Sequence, residues 1–223
     1  MMAIETTYFS GTSSEANNLE VTTWLTANAA EYFDKIIGGN GYDTGVCKIG
    51  DITALEINYR TDIDTPKLFT TRIKNGQSVS GGYRWSNTNR VVRAYKTDNG
   101  ICLYCDKANS VIITKSTNGS ILIAHNFVDK STDHLYWTIA DFNNSTNYLK
   151  SNYFQNTFTS ADLTAAGVYS AGATALTPAC TDAGTYSENL FFVPFTQFAG
   201  QSGIAIDVDG TKYVYNGVFA LKE

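Results

Sequence analysis

The sequence predicts a mainly β protein, an antiparallel sandwich or barrel-like body carrying one N-terminal amphipathic helix. Three observations lead there. One stretch alone, residues 18–37, repeats its apolar residues at three- and four-residue steps. From Tyr42 onward the repeat shortens to about two, in runs rich in β-branched and aromatic residues. Gly and Asn turn signals cut those runs at close intervals.

The helix is carried by Val21, Trp24, Leu25, Ala29, Tyr32, Phe33 and Ile36, which share one stripe at 3.6 residues per turn. Asn17 or Asn18 supplies an N-cap and Glu20 sits favourably in the first turn. Gly38, Gly39, Asn40 and Gly41 stop it and turn the chain.

Strands follow in order at 52–59, 68–73 and 90–97, the last closed by the turn signal Asp98-Asn99-Gly100. Runs at 101–105, 111–115 and 121–125 continue as a meander, with Thr117-Asn118-Gly119-Ser120 as a second turn, and 135–139 adds another strand. The polar stretch Asp141–Asn147 reads as an exposed loop. Ser160–Thr185, rich in Ala, Thr and Gly, reads as a long arm with a weak strand at Val168-Tyr169. Strands return at 190–195, 204–210, 212–216 and 217–221, with Asp209-Gly210 turning between two of them.

A chain of 223 residues fits one large β domain or two small ones, and buries roughly 70 per cent of its unfolded surface. The expected organisation is an N-terminal segment and helix over 1–41 and a β-rich domain over 42–223, forming one unit. With 43% hydrophobic and 17% charged residues the chain lies far from compositions that stay disordered. Its net charge of -5 and singly scattered Lys and Arg argue against nucleic acid as a partner. The first eleven residues hold no Lys or Arg and no secretory apolar core, and no stretch approaches a membrane span, so synthesis in the cytoplasm is expected.

The chemistry-bearing residues assemble into no catalytic motif. The two histidines, His125 and His134, stand beside no nucleophile or carboxylate in a known arrangement. Cys102 and Cys105 have the spacing of a zinc half-site, but they lie on an extended run that sends the sulfurs to opposite faces. Cys47 and Cys180 offer no matching pair, so four buried free thiols and no metal are expected. Asp207-Val-Asp-Gly-Thr211 resembles the start of a calcium loop without its later ligands, and reads as a hairpin turn. Asp62 and Asp64 share a strand face as a solvated pair rather than an acid couple. Gly81-Gly-Tyr-Arg-Trp85 could present aromatic faces to a sugar or protein, although such rings are more often core. The sequons at Asn118, Asn143 and Asn144 carry no weight without secretion. No catalytic, cofactor-binding or metal-binding residue is assigned, no cofactor is expected, and the chain reads as a non-enzyme.

The charge-poor text rich in Tyr, Thr, Asn and Gly, and its ending Asp209-Gly-Thr-Lys-Tyr-Val-Tyr-Asn-Gly-Val-Phe-Ala-Leu-Lys-Glu223, resemble small virion proteins of tailed bacteriophages and prophages of gut Firmicutes. That resemblance is confined to about the last twenty residues and transfers no site residue. It implies a structural subunit of the head-decoration, neck, tail or baseplate parts, made in the host cytoplasm and located in the virion. Its partners would be other virion proteins and further copies of itself. The alternative reading is a glycan-binding module, in a receptor-binding tip or a carbohydrate-recognition domain.

Overall fold

A seven-stranded antiparallel sheet runs through the middle of the molecule in the computed structural model, which describes residues 4–12, 14–38, 45–50, 52–57, 69–72, 78–80, 91–105, 110–129, 134–142, 147–155, 176–181, 184–193, 204–208, 210–216 and 218–223. Strand β1 (Glu5–Tyr8) pairs with β7 (Val91–Thr97). From β7 the chain meanders through β8 (Gly100–Cys105), β9 (Ser110–Lys115), β10 (Ile121–Asp129), β11 (His134–Phe142) and β12 (Asn147–Gln155).

Both faces of this sheet are covered. On one lie helix α1 (Ser14–Asn28) and a five-stranded sheet of β2 (Lys35–Ile37), β3 (Gly45–Ile49), β4 (Ile52–Ile57), β5 (Phe69–Arg72) and β6 (Ser78–Ser80). Val21, Leu25, Phe33, Cys47, Leu55 and Ile57 meet Ile101, Leu103, Val111, Ile113, Ile123 and Phe142 there. On the other face lies a C-terminal sheet ordered β13 (Thr177–Cys180), β14 (Tyr186–Phe192), β17 (Phe219–Lys222), β16 (Thr211–Tyr215) and β15 (Ile204–Val208). Its Leu190, Phe192, Val214, Phe219 and Leu221 meet Cys102, Ile112, Ala124, Trp137 and Ile139.

Double burial explains the runs Val111-Ile112-Ile113 and Ile121-Leu122-Ile123-Ala124, in which every side chain is buried. A strand with core on both faces has no polar face to alternate with. The fold is mainly β with one α-helix among the described residues, as the sequence predicts.

The helix itself is displaced from its expected span. It starts before residue 18 and ends at Asn28; a 3-10 turn (Ala30–Tyr32) and strand β2 take the rest of the apolar stripe. Ala29 leaves helical geometry (φ -132°, ψ 13°) and Phe33 is extended. A 3-10 turn repeats every three residues, so it keeps Tyr32 in line with the helix stripe, while the β-branched pair Ile36-Ile37 suits a strand. Asn17 and Asn18 are buried inside the helix rather than capping it. Asn17 does other work: its Nδ2 donates to the Val91 carbonyl at 2.8 Å and its Oδ1 accepts from the Val91 amide at 3.2 Å. The amide thereby stands in for a strand neighbour where β1 has already left the sheet.

Asp141 and Phe142, expected in a loop, belong to β11, and Asn147 opens β12. The sequence pattern also leaves β1, β3, β6, β12 and β13 unmarked. Gly100 is less a turn residue than a contact residue: the β7–β8 connection is Asp98-Asn99, with Thr97 paired to Gly100, and a Cβ on Gly100 would come within 2.4 Å of the Ile113 carbonyl oxygen. Gly210, at φ 78°, stands between the paired Val208 and Thr211, where the sequence places a turn.

Candidate binding surface

Burial holds His125, Cys47 and Cys102 in their uncharged forms. His125 on β10 is fully buried, and desolvation pushes its pKa down to about 3, so the ring is neutral at physiological pH. Burial pushes the Cys47 and Cys102 thiols up to about 12, leaving almost no thiolate. Cys180 is partly exposed. Cys47, Cys102 and Cys180 are free thiols; Cys105 lies on β8 with its side chain outside the described residues, as does that of His134 on β11. Among the described residues no three His, Cys, Asp or Glu side chains gather as metal ligands would. Asp207 serves its hairpin, its Oδ1 accepting the Gly210 amide at 2.9 Å. Asn118 does the same in the β9–β10 turn, accepting the Ser120 amide at 3.0 Å.

The positions Asp62, Asp64, Gly81–Trp85, Asn143, Asn144 and Val168-Tyr169 lie outside the described residues. Of the Ser160–Thr185 arm, the described part forms β13 and the Thr181–Thr185 turn, where the Thr181 amide donates to the Thr185 carbonyl at 2.9 Å.

Two recesses among the described residues have opposite characters. The apolar one, about 470 Å³, runs between β1 and α1, lined by Thr7, Tyr8, Phe9, Leu19, Glu20 and Trp24 among others. It exists because the helix stripe turns under the sheet at Val21 and Leu25 and leaves Trp24 at the rim. Trp24 is partly buried, edge-on to Phe9 at 6.4 Å, and its Nε1 donates to Thr7 Oγ1 at 3.1 Å. Tyr8 is 74% exposed and Leu19 59%, the two most exposed large apolar side chains among the described residues. The recess lies along β1, the terminal strand of the central sheet. Sequence reading missed this surface, because Glu5-Thr-Thr-Tyr8 carries no apolar alternation to mark it as a strand.

The polar recess, about 420 Å³, lies between the 3-10 turn and the β9–β10 hairpin, lined by Glu31, Tyr32, Asp34, Asn118 and Ser120 among others. Its charges are already engaged: Lys115 Nζ meets Glu31 Oε2 at 2.6 Å and lies 5.6 Å from the Tyr32 ring centre, while Asp34 Oδ2 accepts the Gly50 amide. Burial, and then the neighbouring Glu31 carboxylate, push the Tyr32 hydroxyl up to about 12. These charged groups already have partners, whereas the apolar groove has surface left to cover. Compared with protein-family models, with curated proteins and with solved structures, the chain matches none.

Proposed function

We propose that this protein acts by contact rather than by chemistry, as a non-enzymatic structural subunit of a phage or phage-derived particle. The observation that supports the reading best is the apolar groove beside β1. A terminal strand offers backbone donors and acceptors to a further strand, and an exposed apolar patch next to it favours a protein neighbour over water. The neighbour we assign is a strand of an adjoining subunit, added to the edge of β1 with an apolar side chain seated against Leu19 and Trp24. The low charge content of the chain suits repeated close contact. The resemblance of its C-terminal segment to small virion proteins supplies the kind of assembly.

The test is mass spectrometry of purified particles together with sedimentation of the isolated full chain. The chain is expected in particles at a fixed copy number, since closed symmetric assemblies fix their stoichiometry. Leu19→Glu is expected to abolish incorporation or self-association without lowering thermal stability, because Leu19 is mostly solvent-facing. Absence from particles, or association unchanged in Leu19→Glu, would overturn the reading.

A further inference from the structure

One cross-strand row spans the central sheet on the face toward the C-terminal sheet: Tyr8, Arg93, Tyr104, Ser110, Asn126 and Trp137, in register on β1, β7, β8, β9, β10 and β11. Its inner members are buried and engaged. The Ser110 hydroxyl donates to Asn126 Oδ1, Asn126 Nδ2 donates to the Asn216 carbonyl at 2.9 Å, and Trp137 packs edge-on to Phe192 and Phe219. The outer end is different. The register shifts between Val91 and Arg93, so that Val92 is the extra residue of a bulge and Arg93 stands opposite Tyr104.

The Arg93 guanidinium lies over the Tyr104 ring at 4.5 Å from its centre and 5.9 Å from that of Tyr95. Both tyrosines are nearly buried, so they form a fixed floor. The guanidinium has no hydrogen-bond or ion-pair partner among the described side chains. Its Nε is buried with no acceptor, and the side chain as a whole is only partly covered. A guanidinium is planar and carries its donors at its rim, where a planar carboxylate can take two at once. Tyr8, its neighbour on β1, presents an exposed aromatic ring beside it. Aromatic faces carry negative charge density and attract the polarised C–H groups on the apolar face of a sugar ring.

We propose that Arg93, seated on Tyr104 and Tyr95 and flanked by Tyr8, binds the carboxylate of an acidic saccharide, with the Tyr8 ring against the sugar. The cationic guanidinium, only partly covered, sets the charge of the ligand, and the exposed ring beside it sets a saccharide over a bare anion. This site uses the C-terminal face of the sheet edge and does not depend on the assembly reading.

The experiment is an NMR titration of the full chain with glucuronate and with N-acetylneuraminate, run against glucose, acetate and an acidic peptide. Both sugar acids are expected to give saturable shifts centred on Arg93 and Tyr8, with glucose and acetate weaker by about tenfold or more. Arg93→Gln is expected to abolish binding, and Arg93→Lys, which keeps the charge but loses the planar fork, to weaken it about tenfold. Tyr8→Ala is expected to weaken binding with the fold intact, so it decides the matter if Arg93→Gln does not fold. Leu19→Glu is expected to leave sugar binding unchanged, which separates this site from the subunit contact. The proposal fails if neither sugar acid binds, if binding survives Arg93→Gln or is indifferent to Tyr8→Ala, or if acetate or the acidic peptide binds as tightly as the sugar acids.

Discussion

The two faces of the central sheet are covered by different means. Toward the C-terminal sheet the cover is itself a sheet, and the contact closes with interlocked rings: Trp137 stands edge-on to Phe192 at 5.0 Å and to Phe219 at 6.1 Å, while Phe192 and Phe219 lie 4.9 Å apart. Toward the N-terminus part of the cover is a single 15-residue helix. A sheet matches the width of another sheet, but a helix has one apolar stripe and covers a strip. Where the strip ends, at Trp24, a groove opens against β1. Closed core and open surface are thus two results of packing different elements onto one scaffold.

The largest expected difference between the faces is in tryptophan removal. Trp137→Ala should cost about 3–5 kcal/mol in urea unfolding, since a fully buried ring leaves a cavity that its neighbours cannot fill. Trp24→Ala should cost about 1–2 kcal/mol, from partial burial and one hydrogen bond. Equal costs would erase the distinction between a sealed face and an open one. Asn17→Ala probes the polar tie of the helix face: it strands both the amide and the carbonyl of Val91, and a loss of about 1–3 kcal/mol is expected. A loss near zero would mean that the helix is held by its stripe alone.

His125 gives the helix-side face a pH dependence. Its pKa is lowered in the fold, from about 6.5 unfolded to about 3. The unfolded state therefore binds the extra proton, and stability falls as pH drops through that window, by up to about 1.4 kcal/mol per pH unit from this group. Unfolding free energies measured between pH 4 and 7 should show this slope, and His125→Gln should flatten it; an unchanged slope would assign the effect elsewhere. The smallest expected effect is kinetic. Alkylation followed by peptide mass spectrometry should find Cys180 modified in the native protein, and Cys47 and Cys102 only after denaturation.

Much of this architecture can be read from residue order. The meander from β7 to β11 is legible because the strands are joined by short turns, so local signals decide the pairing. What the sequence hides is whatever depends on distant partners. β1 is a strand because β7 accepts it, and Glu5-Thr-Thr-Tyr8 has no pattern of its own. The helix ends at Asn28 although apolar spacing continues, since a 3-10 turn and a strand place Tyr32 and Phe33 in the same core. Arg93 and its tyrosines are invisible for the same reason. Tyr8, Arg93 and Tyr104 are brought side by side only by register and by the bulge at Val92.

The pairing of β1 with β7 also sets an order of events during folding. All the strands of the helix-side sheet lie between them in the chain, so the meander from β7 onward can form by local closure while β1 must wait for a long loop to close. Docking of β1 is then a late step on a nearly finished sheet. By the same reasoning it can detach while the rest of the sheet stands, and its departure would bare the edge of β7 to any other extended segment within reach. The end of the sheet on which both proposed contacts converge is therefore also where exchange of a strand between copies would begin.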